Sequence, residues 1–276
     1  MKKIIFVAGS PHSGTTLLNL LLGSHPQIAA YGEITKLIDE STRDHYINLI
    51  EEGTEYCTCK NIKTKDCPFW KSFLKEVELG RPFADLYQFA LEYTANKIDG
   101  NSAMVDSTKT LIALSKLVNE IKLGKLKNIT LDDIIVIHVM KDLRAYLKSS
   151  KVRYKVPNWH IPKLIYYAFR WEMVNKKIIK YVKDNNISYH HISYEKICFN
   201  LKSELESMCL SLGCDYSDKM ADLDLSNSHT GLGNPKRVST SKSKKVSYDS
   251  RWFYDFGVNF CYMVSRGPRI FNEEMR

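Results

Sequence analysis

Ile4-Ile5-Phe6-Val7, then Gly9-Ser10-Pro11-His12-Ser13-Gly14-Thr15-Thr16, then Leu17-Leu18-Asn19-Leu20-Leu21-Leu22: this N-terminal stretch decides the fold. Its first four residues are all apolar and β-branched or aromatic, the pattern of a strand buried on both faces. A Gly/Ser/Pro turn follows, and then a helical run that Gly23-Ser24-His25-Pro26 stops, because proline cannot continue a helix. Four residues separate Gly9 from Gly14, and two threonines lead on into the helix, which is the frame of a phosphate-binding loop. Backbone N–H groups and the helix N-terminus can cradle an anion there, and Thr15 and Thr16 add hydroxyl donors. A nucleotide triphosphatase needs lysine at position 15 to neutralise the terminal phosphates, and this chain has Thr15.

Working outward, residues 28–31, 103–106, 134–140 and 187–192 read as further strands. Between them lie helical patterns: about 83–97, a helix opened by Asp142 as N-cap, 162–183, and about 201–212. This alternation predicts an α/β fold of three layers, a central parallel β-sheet flanked by helices. Ligands of such folds sit at the carboxyl ends of the strands. Residues 1–276 are expected to form a single domain. Residues 53–68 form a Cys-rich excursion from the sheet. Residues 226–251 are basic and rich in Gly and Ser, either a solvated linker or a flap that closes on phosphate.

With 276 residues, 44% of them hydrophobic, the chain can bury one substantial core. Lys and Arg number 40 against 31 Asp and Glu, a net charge of +9, which suits a polyanionic partner. The apolar run 4–8 is too short for a signal-peptide core, and no stretch has the length of a membrane span. A cytoplasmic protein with no membrane partner is therefore expected. The basic residues are dispersed and no nucleic-acid motif accompanies them, so no nucleic-acid partner is expected. The seven cysteines are odd in number and without framework spacing, as for reduced thiols. Cys57, Cys59 and Cys67 lack the fourth ligand of a structural zinc site. The spacing does not demand His45 as a partner, so no metal is expected: unliganded thiols, or one disulfide in an oxidising compartment, are the expectation.

The loop 9–18 resembles the 5′-phosphosulfate loop of sulfotransferases that use 3′-phosphoadenosine 5′-phosphosulfate (PAPS). Ser24-His25-Pro26-Gln27-Ile28 and Gly32-Glu33 resemble the carbohydrate and tyrosylprotein branches of that family. Val139-Met140-Lys141-Asp142-Leu143-Arg144-Ala145, followed by Ser149, is similar to the family's 3′-phosphate motif. Val105-Asp106-Ser107-Thr108-Lys109 is similar to a strand-end segment of bacterial members. Ser193-Tyr194-Glu195-Lys196-Ile197 resembles the segment before the last helix, and residues 229–237 with 249–252 resemble the closing loop. Two positions depart from the family: Lys141 stands where arginine is usual, losing the bidentate fork, and His12 stands where Arg or Lys is common.

The resemblance implies a P-loop NTPase-like sulfotransferase fold. It also implies sulfuryl transfer from PAPS to a glycan or small-metabolite hydroxyl, leaving 3′-phosphoadenosine 5′-phosphate (PAP). Glu33 aligns with the catalytic base. Lys109, with Thr16 and His12, is the candidate for stabilising the leaving oxygen. Pro11, His12, Ser13, Gly14, Thr15, Thr16 and Leu17 are expected to hold the 5′ side. Lys141 and Ser149, eight positions or about two helical turns apart, are expected to hold the 3′-phosphate. Tyr194 is expected to line the adenine side. Arg237, with Lys236 and Asn234, is expected to close over the nucleotide. The alternatives are a small-molecule kinase, in which Asp142 serves magnesium, and a nucleotide-binding module without chemistry.

Overall fold

The strands in chain order are β1 (Ile4–Ala8), β2 (Ile28–Ala30), β3 (Tyr56–Cys57), β4 (Ile62–Lys63), β5 (Ala103–Lys109), β6 (Ile134–Met140) and β7 (Ser188–Ser193). Five of them form one sheet in the order β2-β5-β1-β6-β7 in the computed structural model, which describes residues 3–157, 159–225, 227–234, 237–238 and 246–275. Every pair in this sheet is parallel. β3 and β4 form a separate antiparallel hairpin, the Cys-rich excursion.

Side chains alternate across a strand, so each central strand feeds two cores. Ile4, Phe6, Ala8, Ile134 and Val136 pack on one face. They meet Trp70 and Phe73 of a helix at Pro68–Glu78, Leu86 and Tyr87 of one at Phe83–Lys97, and Leu114 and Leu117 of one at Leu111–Lys122. Ile5, Val7, Ile135, Ile137 and Val139 pack on the other face. There they meet Leu18 and Leu21 of α1 (Thr15–Leu22), and Leu205 and Met208 of a helix at Leu201–Leu212. This is the expected three-layer arrangement, and burial on both faces explains why these strands read as continuous apolar runs. Each such fully buried side chain contributes about 1.5–3 kcal/mol.

Helix starts are set by local chemistry. The Asp142 side chain accepts from Arg144 N (2.8 Å) and opens α2 (Leu143–Arg153). Thr110 accepts from Ala113 N (3.2 Å) and caps the helix that follows β5. The long helix Ile161–Asp184 carries proline in its first turn, where the missing N–H costs nothing. The crossovers bring the ends of β1, β2, β5 and β6 together at one edge of the sheet.

Part of the basic stretch is built into the fold rather than forming a solvated linker. His229 N donates to Ala30 O (2.7 Å) and Ala30 N to Asn227 O (3.4 Å), so this stretch lies against β2. Thr230 and Leu232 are buried. Residues 226, 235–236 and 239–245, which include Lys236 and most of the basic run, lie outside the described residues. No helix among the described residues is long and apolar enough to cross a membrane.

Candidate active site

The loop after β1 is held from both sides. Gly9 N donates to Lys109 O (3.2 Å), and a Cβ on Gly9 would sit 2.6 Å from Val139 O, so β6 leaves room only for glycine. Ser13 N donates to Ser10 O (3.3 Å), and the two hydroxyls are 2.7 Å apart. Gly14 takes a left-handed φ of 96° and caps α1 without any side-chain acceptor. The first-turn N–H groups of Thr15, Thr16 and Leu17 therefore lie at the positive end of the α1 dipole, an environment that favours an anion.

Glu33 follows β2 and is only 5% exposed. Its carboxylate is clasped between the ammonium groups of Lys109 and Lys36. Burial pushes the Glu33 carboxyl up, but the two lysines outweigh it and hold it below its ordinary value. Burial likewise acts to lower Lys36, and Glu33 more than reverses this. Lys109 ends β5 in a left-handed backbone (φ 64°). Its placement traces to fully buried Asp106, which accepts from Thr108 Oγ1 (2.5 Å), Thr108 N (2.8 Å), Thr35 Oγ1 (2.6 Å) and Tyr87 Oη (3.3 Å). Asp106 thus ties the exit of β5 to the turn that carries Glu33 and Lys36.

A second cationic site lies at the exit of β6. Lys141 Nζ donates to Ser149 Oγ (3.4 Å) and to Asp249 Oδ2 (3.4 Å). Its ammonium stands 4.7 Å over the Tyr194 ring. The same ring packs on the loop after β1: a Cβ on Gly14 would lie 2.6 Å from Tyr194 Cδ2. One aromatic ring is therefore in contact with both the start of α1 and the Lys141 ammonium. Hydrogen bonds from Arg251 hold Asp249 far below its ordinary value; burial opposes them and Lys141 reinforces them.

Residues 5–218, which include both cationic sites, Glu33 and Lys109, match the family model described as "Sulfotransferase family". The chain belongs to the sulfotransferase family. Among solved structures, it is similar to the sulfotransferase domain of the Synechococcus PCC 7002 olefin synthase, with 18% identity over 94% of each chain and a TM-score of 0.56. It is also similar to the sulfotransferase domain from the curacin biosynthetic pathway, with 14% identity over 95% of this chain and 97% of that one and a TM-score of 0.51. At these identities the likeness is one of fold. No curated protein matches the sequence.

In this sulfotransferase-family chain, the structure brings together Glu33 with Lys109, Lys141 with Ser149, and Tyr194 with the 11–17 loop. His12 has a positive φ of 69°, and its ring meets Tyr154 edge-on, 6.2 Å between centroids, on the β6 side of the loop. Glu33 and Lys109 lie on the β2–β5 side.

Arg237 is 2% exposed. Its guanidinium pairs with Glu55 and donates to Gly233 O (3.0 Å), Gly231 O (3.1 Å) and Tyr56 O (3.4 Å), which makes it a clamp between hairpin and closing segment. The three thiols do not lack a fourth partner: Cys57, Cys59 and Cys67 converge with His229, while His45 stacks edge-on to Tyr46.

Sequence reasoning missed Lys36, and it named Asp249 and Arg251 only within the closing-loop resemblance, with no role. Lys36, one helical turn beyond Glu33, carried an i,i+3 charge signal. Asp249 and Arg251 reach Lys141 only through tertiary folding. Asp142, the magnesium ligand of the kinase alternative, is taken up by Arg144 (2.8 and 2.9 Å) and Asn272 (3.4 Å).

Proposed function

We propose that this chain transfers a sulfuryl group from PAPS to a hydroxyl of a glycan or small metabolite and releases PAP. The observation that carries this reading is the Tyr194 ring, which touches both the start of α1 at Gly14 and the Lys141 ammonium. Two anion sites sharing one aromatic wall suit a nucleotide with phosphates on both its 5′ and 3′ sides. Residues 11–17 hold the 5′ side through backbone N–H groups and the Thr15 and Thr16 hydroxyls. Lys141 and Ser149 hold the 3′-phosphate.

In the reaction the acceptor hydroxyl gives its proton to Glu33 as its oxygen forms a bond to sulfur. The bond from sulfur to the 5′-phosphate oxygen breaks, and the electron pair stays on that oxygen. Lys109 and Thr16 stabilise the charge that develops there. At rest, two ammonium groups make Glu33 a weak base. When Lys109 turns to the leaving oxygen, Glu33 loses one of its two cations, and its proton affinity rises at the step that needs it.

The test is calorimetry with PAP, ADP and ATP–magnesium, followed by transfer assays from PAPS. PAP binding without added metal, much tighter than ADP, supports the 3′-phosphate site. ATP–magnesium binding better than PAP overturns the reading in favour of a kinase. Tight PAP binding without transfer to any acceptor in a broad panel supports a binding module instead.

A further inference from the structure

We propose that Cys57, Cys59, Cys67 and His229 form a structural zinc site that locks the β3–β4 hairpin to the closing segment. Cys57 and Cys59 sit at the tip of the hairpin, Cys67 immediately precedes the helix Pro68–Glu78, and His229 lies 162 residues further along the chain. Cys57 Sγ is 3.5 Å from Cys59 Sγ, which is 3.8 Å from Cys67 Sγ, which is 3.3 Å from His229 Nδ1. All four donor atoms lie within 4.8 Å of one another. Tetrahedral zinc with Zn–S near 2.3 Å and Zn–N near 2.0–2.1 Å requires donor separations of about 3.5–3.8 Å; Cys57–Cys59 and Cys59–Cys67 fall in that range, and Cys67–His229 is slightly shorter at 3.3 Å. Three soft thiolates and one imidazole form a closed Cys3His set, with no position left for water or substrate.

The imidazole is fixed in its orientation before any ion binds. Its ring stacks on Tyr31 (12° between planes) and Phe69. Its carbonyl accepts from Trp70 Nε1 (2.8 Å). On either side of it, Thr58 Oγ1 donates to Ser228 O (3.1 Å) and accepts from Thr230 N (3.2 Å). Such outer contacts are what orient metal ligands.

A second cluster, His25 with Cys209 and Cys214, does not meet this standard. It has three members, and both ring nitrogens of His25 are engaged, by Gln27 N (3.1 Å) and Asp215 O (2.9 Å).

Binding converts Zn2+, three thiols and a neutral imidazole into one complex and releases three protons. Its consequence is mechanical. The segment pinned at His229 runs on to Gly233, where a Cβ would lie 3.0 Å from Glu33 Oε1, so the site sets the wall behind that carboxylate. The proposal is independent of the transfer chemistry and is read without it.

The full chain would be purified, incubated with zinc, dialysed and analysed for metal. About one zinc per chain is expected. Cobalt substitution should give the charge-transfer and ligand-field bands of a tetrahedral thiolate site. Cys59→Ser and His229→Ala should each weaken zinc binding by more than about 100-fold, beyond what loss of an outer contact costs. Cys214→Ser, in the other cluster, should leave it unchanged. The wild-type cobalt spectrum decides the matter even if a variant fails to fold. The proposal is overturned by a folded wild-type chain that stays metal-free. Unchanged zinc in Cys59→Ser and His229→Ala also overturns it, as does a peptide mass showing a disulfide among Cys57, Cys59 and Cys67 in the freshly purified protein.

Discussion

The donor side and the closing side of this molecule are assembled in different ways. On the donor side, the 9–17 loop and the run from Lys141 to Ser149 are contiguous pieces, each carried by one strand exit and the helix after it. On the closing side, His229 meets Cys67 across 162 residues and Arg237 meets Glu55 across 182. The first kind of site is set by local geometry and, in the proposed reaction, acts on ligand; the second is set by tertiary packing and acts on shape. Substitutions on the donor side should therefore change transfer or nucleotide affinity. Those on the closing side should change stability first.

The largest effect is expected at Glu33. Glu33→Gln should lower kcat/KM by roughly 10²–10⁴-fold, the usual contribution of a general base, while PAP binding stays within a few-fold. Transfer near the wild-type rate would remove Glu33 from the mechanism. Next, Arg237→Ala should destabilise the fold by about 1–3 kcal/mol, because it removes the donor to the Gly233 and Tyr56 carbonyls and the cation paired with Glu55, with little change in PAP affinity. Denaturant unfolding alongside calorimetry separates the two. A large loss of PAP affinity without loss of stability would erase the contrast between the two sides. Lys141→Ala should weaken PAP by about 10–100-fold through loss of a charge-assisted contact, and leave adenosine 5′-monophosphate nearly unaffected. Equal weakening of both would break the 3′-phosphate assignment.

Smaller effects should follow at Asp249, whose carboxylate occupies Lys141 and Arg251. Asp249→Asn should tighten PAP by a few-fold, about 1 kcal/mol, by freeing both cations for phosphate. The pH dependence is more modest still. Glu33 has a folded value below its ordinary 4.5, so its ionised form stabilises the fold. That contribution is complete above the unfolded value and is lost as pH falls through the lower folded value. Urea midpoints of wild type and Glu33→Gln should therefore converge in relative terms below about pH 4.

The sheet was legible because its central strands are buried on both faces and so are apolar nearly throughout, as in Ile4–Ala8 and, His138 apart, Ile134–Met140. Lys141 and Ser149 could be paired because helical periodicity fixes positions eight apart. The clasp on Glu33 was half legible: Lys109 lay in a strand-end motif, whereas Lys36 required knowing that a short helix begins at Thr35. His229 could not be matched to the thiols, because no periodicity relates residue 229 to residue 67. His45, nearer in sequence, belongs to a helix whose ring contact is Tyr46. The pairing of Arg237 with Glu55 was illegible for a related reason: no periodicity relates residue 237 to residue 55.

The bonds that residues 227–229 make to Ala30 have a consequence for solubility. β2 is the outermost strand on its side of the sheet, and an uncovered parallel edge can recruit another chain and seed aggregation. Here the chain lays its own backbone along that edge, with His229 N on Ala30 O and Asn227 O receiving Ala30 N. A loosened closing segment would therefore present an unpaired strand to its neighbours. Aggregation on mild heating, ahead of any loss of helix signal, would be its mark.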